Sequence, residues 1–349
     1  MAASKQLKEA YKAFSRHGVG DALVEISPKD VVVLIHIAYA DVVGDEAEWI
    51  IEEYQRIAET DFFQIAPDMI DELPVITQDE AIGLLVKCGA TDTSNIIYLY
   101  LKNLCDLYRR RFKYLNILRA QPFPTVDQIG PRCLLEFGNC SNDLLFNWMN
   151  WRKWIYDIDN RSAQETGYLF EPILSCCLGG EPVSHRRSMV RRLDADGNPT
   201  QEGRQIDCYI EETQEAYELK LRVTIAASGQ GRFKEEMSFP REAEHAGLIP
   251  VLIVFDPTPS ALLDKLKAEY VRCGGRYSLG EDAWNELISK AGKEMGTFIQ
   301  KYIKPPISKM EEREDVLPTT ITIEAKPAYV CIRDENGNEY KISRQFLSE

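Results

Sequence analysis

The stretch from residue 204 to residue 223 constrains this chain more than any other. In its first run Ile206, Cys208 and Ile210 alternate with Gln205, Asp207 and Tyr209. In its second run Tyr217, Leu219, Leu221 and Val223 alternate with Glu218, Lys220 and Arg222. Period-two alternation of this kind marks strands, and the intervening Glu211-Glu212-Thr213-Gln214 supplies a turn. Asp207, Glu218 and Lys220 then all point away from the apolar side chains. A four-residue loop pairs Ile210 with Glu215 and sets Asp207 opposite Glu218, with Cβ atoms about 4.5–5.5 Å apart. A three-residue loop splits the two acids across the sheet. The bland reading of Glu218-x-Lys220 is a solvated strand face. Two carboxylates and an amine on one sheet surface cost free energy unless they bind something, and a divalent cation with a phosphate satisfies all three.

The spacing Asp207-x10-Glu218-x-Lys220 on consecutive strands resembles the PD-(D/E)XK nuclease superfamily. Upstream, Gly167-Tyr168-Leu169-Phe170-Glu171 is similar to the Gly-x-x-x-Glu of the helix that precedes the core hairpin in many members. Downstream, Gln230-Gly231-Arg232 opens a helix, and Val251-Leu252-Ile253-Val254-Phe255 reads as a buried strand. Within the superfamily, the run from Leu219 through Ser228-Gly229-Gln230-Gly231-Arg232 resembles the ApaLI-like type II restriction endonucleases. Two positions depart from the pattern. Ile206 stands where the motif's name has proline. Pro172 follows Glu171, and proline is tolerated in a helix's first turn but not its interior, so the helix is expected to kink there or to start near Glu171.

The resemblance implies an α/β fold: a PD-(D/E)XK core of a mixed central β-sheet flanked by helices, with a mainly helical N-terminal region and a small C-terminal β unit. It implies hydrolysis of DNA phosphodiesters with Mg2+ as cofactor. Asp207, Glu218 and Glu171 would hold the metal, which activates a water and polarises the phosphoryl group. Lys220 would orient that water and offset developing negative charge. Gln230 and Arg232, at a helix N-terminus, are candidate phosphate contacts, against ordinary loop and capping chemistry.

A net charge of −14 looks unsuited to a DNA-binding protein until its distribution is considered. Residues 21–86 hold 16 acidic side chains and only Lys29 and Arg56 as bases, so the remaining chain is neutral. Phosphate binding needs local rather than global positive charge. Arg186, Arg187, Arg191 and Arg192, just ahead of the hairpin, are the favoured DNA contacts, and the run Arg109–Lys113 is a weaker candidate. Nine cysteines without a CxxC, and four histidines without an HExxH, argue against a disulfide framework and a zinc hydrolase. No stretch reaches eighteen apolar residues, and the N-terminus lacks a signal-like apolar core. A soluble cytoplasmic protein, with no membrane partner, is expected.

The sequence divides into a mainly helical N-terminal region (1–124), a nuclease core with a leading tryptophan-rich helix (125–305), and a C-terminal β-hairpin unit (306–349). Gln121-Pro122-Phe123-Pro124-Thr125 is the candidate linker. Trp148, Trp151 and Trp154 read as a buried seam, or alternatively as a subunit interface. The function expected is that of a type II restriction endonuclease acting on double-stranded DNA at a palindromic site. Such a site implies a homodimer, and a cognate methyltransferase as genetic partner. The alternatives are a structure- or modification-directed repair nuclease, and a non-catalytic DNA-binding protein of the same fold.

Overall fold

The computed structural model describes residues 4–17, 23–44, 47–221, 230–256, 258–311 and 321–344. Two compact units emerge: residues 1–166 with 306–349, and residues 167–305. The sequence reading divides the chain at 124 and 305 instead. Residues 125–166 and the C-terminal strands group with the N-terminal helices because they share a core with them.

The first unit is built on helices α1 (Lys5–Ser15), α2 (Pro28–Val42), α3 (Gln78–Lys87) and α4 (Ile96–Ala120), together with the N-terminal part of α5 (Asn142–Cys177). Ser27 and Asp30 form a capping box ahead of α2, with Pro28 in its first turn, where a missing N–H costs nothing. Every residue from Val31 to Ala38 is buried, which accounts for the unbroken apolar run there. On α4, Tyr100 and Tyr108 are buried, as core residues.

The basic run on α4 is largely turned inward. Arg109 is 1% exposed and Lys113 2% exposed. Arg109 donates to the Phe14 carbonyl and to Asp106, which also pairs with Lys102. Arg111 caps the carbonyls of Phe62 and Ile65 at 3.0 and 2.8 Å and lies over the Tyr108 ring. Arg109 and Arg111 therefore hold the helical unit together, and the buried Arg109 and Lys113 are not available as DNA contacts.

The C-terminal strands Thr322–Ala325, Tyr329–Arg333 and Glu339–Ser343 form an antiparallel sheet. Gly337, at φ +82°, makes the turn between the last two. Val330 and Ile342 pack with Ile117 and Leu118 of α4 and with Trp154 and Ile158 of α5. Trp154 is buried and donates to the Gln121 carbonyl at 3.3 Å, so Gln121 belongs to a core rather than to a free linker. The tryptophans do not form one buried seam: Trp151 is half-buried and Trp148 is 58% exposed. Further along, Ile129, Leu145 and Met149 make a small cluster that anchors the segment before α5.

The second unit contains strands β1 (Glu181–Val183), β2 (Arg191–Leu193), β3 (Pro199–Gly203), β4 (Ile206–Ile210), β5 (Glu215–Lys220), β6 (Ile249–Val254) and β7 (Arg276–Leu279). The central sheet runs β1-β4-β5-β6-β7. Its first two pairings are antiparallel and its last two parallel, which makes it a mixed sheet. β2 and β3 form a separate ribbon. Helices α6 (Gln230–His245), α7 (Ala261–Arg272) and α8 (Gly280–Lys290) complete the unit with the last turns of α5. Gly180 lets β1 approach closely, since a Cβ there would lie 2.5 Å from the Cys208 sulfur. Among the described residues, no helix is long and apolar enough to cross a membrane, and all nine cysteines are free.

Candidate active site

The hairpin β4–β5 has the register that the alternation predicts. Ile210 pairs with Glu215, Tyr209 with Ala216 and Cys208 with Tyr217, so the next position sets Asp207 across from Glu218. The four-residue turn closes with Gln214 at φ +55°, a left-handed conformation uncommon for a residue other than glycine. Parallel pairing then aligns Glu218 with Leu252 and Lys220 with Val254 of β6.

The face carrying Asp207, Glu218 and Lys220 is not solvated. Ala216, Leu252 and Val254 lie on it and pack beneath Phe239 and Ala243 of α6 and Leu263, Leu266 and Tyr270 of α7. Asp207 is 9% exposed, and Glu218 and Lys220 are half-buried. The sheet is covered on both sides at this point, since Cys208, Tyr217 and Leu219 on the opposite face are also buried. The burial of the acids sharpens every charge interaction among them.

Asp207 accepts a hydrogen bond from the Leu219 backbone N–H at 3.0 Å. Burial pushes its carboxyl well above the usual aspartate range, and the charges of Glu218 and Glu171 push it further. Glu171 is raised by burial and then by Glu218, with Lys220 opposing. Lys220 Nζ stands 3.1 Å from Glu218 Oε1 and 3.4 Å from Glu236 Oε1. Burial works against its charge, but Glu218, Glu236 and Asp207 outweigh burial and keep the ammonium protonated above the ordinary lysine value. Crowded carboxylates around one cation of the protein's own are the arrangement that a second, divalent cation relieves.

Glu171 lies in the last two turns of α5, and Pro172 sits inside that helix. The helix therefore does not start near Glu171. Glu171 reaches the acids from a helix that runs on to Cys177, where Ser175 contacts Cys208 of β4. Among the described residues, no group of three or more His, Cys, Asp or Glu side chains forms a ready-made metal cage. Asp207 and Glu218, on adjacent strands, are the carboxylates that could offer hard oxygen donors to a cation.

Glu236, beside Lys220, is a residue that the sequence motif gives no hint of. It comes from α6, two turns after Gln230, and only the packing of that helix on the sheet brings it to Lys220. The side chains of Gln230 and Arg232 lie outside the described residues, as do residues 222–229. Of the basic run ahead of the hairpin, Arg186 and Arg187 are exposed. Arg191 donates to the Gln201 carbonyl at 3.1 Å. Arg192 pairs with Glu202 at 3.0 Å and Glu235 at 3.4 Å, so half of that run is engaged in holding β2, β3 and α6 together.

A mixed sheet flanked by helices, with paired acids and a lysine on neighbouring strands, defines a protein of the restriction-endonuclease type. The chain matches the family model of ApaLI-like restriction endonucleases over residues 64–304 and belongs to that family. It is also 47% identical over 248 residues to the type II restriction enzyme ApaLI of Acetobacter pasteurianus. That match takes in 70% of this chain and 65% of the relative's length. No solved structure matches the chain significantly.

Proposed function

We propose that this protein is a magnesium-dependent endonuclease that cuts double-stranded DNA at a specific, two-fold-symmetric sequence. The observation that carries this reading is the register-matched pair of buried Asp207 and half-buried Glu218, with Lys220 held charged beside it. The relative's name, a type II restriction enzyme, supports the same reaction class.

Asp207 and Glu218 fit magnesium, which typically takes one or two carboxylates from a protein and completes its octahedron with waters and substrate phosphate. Magnesium there would lower the pKa of a coordinated water and polarise the phosphoryl oxygen. Lys220 presents a fixed positive charge to the scissile phosphate and to the attacking water, with Glu218 and Glu236 restricting its position. A donor of this kind contributes a hundredfold to a thousandfold. Glu171, whose carboxyl holds a proton more readily than usual, would complete the acidic shell that holds the cation. Arg186 and Arg187 supply phosphate contacts on the approach, and the N-terminus of α6 offers N–H groups to a further phosphate. Two copies, one for each strand, would meet a palindromic site, and a methyltransferase encoded nearby would protect the host's own DNA.

Unmethylated plasmid incubated with wild-type protein should give discrete fragments with Mg2+ and none with EDTA. Asp207→Asn should lower the cutting rate by at least about a hundredfold while gel-shift affinity for duplex DNA is retained. Wild-type cutting by Asp207→Asn would overturn the site. Binding without cutting would favour a silent DNA-binding protein, and cutting confined to branched or methylated duplexes would favour repair.

A further inference from the structure

Helix α5 carries an apolar stripe on the part that belongs to the N-terminal unit. Leu144, Trp148 and Ile155 are exposed there, and Trp151 is half-buried between them. The positions 144, 148, 151 and 155 follow four-three-four spacing, the seam by which one helix packs along another at a small crossing angle. Residues 144–156 contain no acidic side chain, although residues 21–86 of the same unit hold 16. Depletion of acids and enrichment of tryptophan are the composition of an interface centre. The segment anchored by Ile129, Leu145 and Met149 adds Leu134 at 78% and Leu135 at 88% exposure. A lone protein leaves at most a few hundred Å² in one apolar patch. The stripe exposes on the order of 400 Å² and the two leucines roughly 300 Å² more, which together approach the roughly 800 Å² that one partner gives to a stable interface.

The stripe is self-complementary. A two-fold axis between Met149 and Asn150, with the helices antiparallel, sets Leu144 against Ile155 of the partner subunit and Trp148 against Trp151 of the partner subunit. The same operation makes the reverse pairs, which is the condition for a closed dimer. We propose that a second copy of this chain covers the stripe, so that α5 packs against α5 across the dimer axis. This deepens the reading of a two-fold-symmetric cutter, and rests on it only for the expectation that two copies meet.

Sedimentation velocity on the full-length protein tests the proposal. The wild type should be a dimer at micromolar concentration, and Trp148→Glu should raise the dissociation constant by at least about 30-fold, as loss of an interface anchor does, with its far-UV circular dichroism spectrum unchanged. Leu144→Cys combined with Ile155→Cys should give a covalent dimer on mild oxidation. The two positions lie about 16 Å apart along one helix, too far to bridge within a chain. Leu144→Cys alone should not cross-link above the wild-type background. A monomeric wild type would overturn the proposal, as would a dimer that survives Trp148→Glu and yields no cross-link in the double variant. Plasmid cutting separates the two readings. A monomer that still cuts defeats only this interface, and a Trp148-sensitive dimer that cuts no DNA defeats the cleavage reading while leaving the interface standing.

Discussion

Asp207 is asked to be buried and charged at once. Burial, then Glu218 and Glu171, raise its carboxyl above the ordinary aspartate range. From that ordinary value up to the raised one, the folded chain binds a proton that the unfolded chain has lost. Stability of the metal-free protein therefore falls as pH rises through that window. Asp207→Asn keeps an oxygen for the Leu219 N–H and removes the charge, so the metal-free variant should melt higher than wild type in alkaline EDTA buffer. At acid pH the two should converge, and Mg2+ should stabilise wild type only. Superimposable melting curves across the pH range would show that burial does not strain this acid. Glu236 invites a separate test, because it touches Lys220 rather than the acid pair. Glu236→Gln should lower kcat about tenfold, as loss of an outer partner does, and leave the Mg2+ midpoint in place. An unchanged kcat would make Glu236 a packing residue only.

At the scale of elements, the hairpin was legible because alternation fixes which side chains share a face, and a four-residue turn fixes their pairing. What lay above that face was not legible. Nothing in residues 204–223 announces that α6 closes over it, so the depth of Asp207 and the approach of Glu236 come only from tertiary packing. Helix α4 shows the opposite case, where the signal was present in the spacing. Lys102, Asp106, Arg109 and Lys113 recur at four-three-four intervals, one face of a helix, which is the pattern of an internal charge ladder rather than a basic patch. The consecutive bases Arg109-Arg110-Arg111 drew attention to charge density and away from periodicity. Arg109→Ala should destabilise the protein by about 2–5 kcal/mol, because it empties the space of a fully buried side chain and leaves the buried Asp106 carboxylate with Lys102 as its remaining ion-pair partner. A chemical-denaturation midpoint within error of wild type would return the run to the surface reading.

On the scale of the whole molecule, the acidic excess is confined to residues 21–86, and the remainder is balanced. DNA affinity must then come from a few local cations rather than from the net field. With Arg192 engaged by Glu202 and Glu235, and Arg191 by a carbonyl, Arg186 and Arg187 are the exposed members of their run. Arg186→Ala with Arg187→Ala should weaken binding across all sequences and reduce the slope of log affinity against log salt by about two, measured by fluorescence anisotropy. A slope equal to wild type would remove both arginines from the DNA path.

The turn at 211–214 places a limit on how this lineage can drift. What keeps Glu218 on the face of Asp207 is the pairing of Ile210 with Glu215, so a change of length there is harmless only while the turn itself absorbs it. A slip of the pairing by one residue instead sends the two acids to opposite sides of a sheet that is covered on both. The buried apolar side chains on each face hold the strands against that slip, so the same packing that closes the core also guards the site.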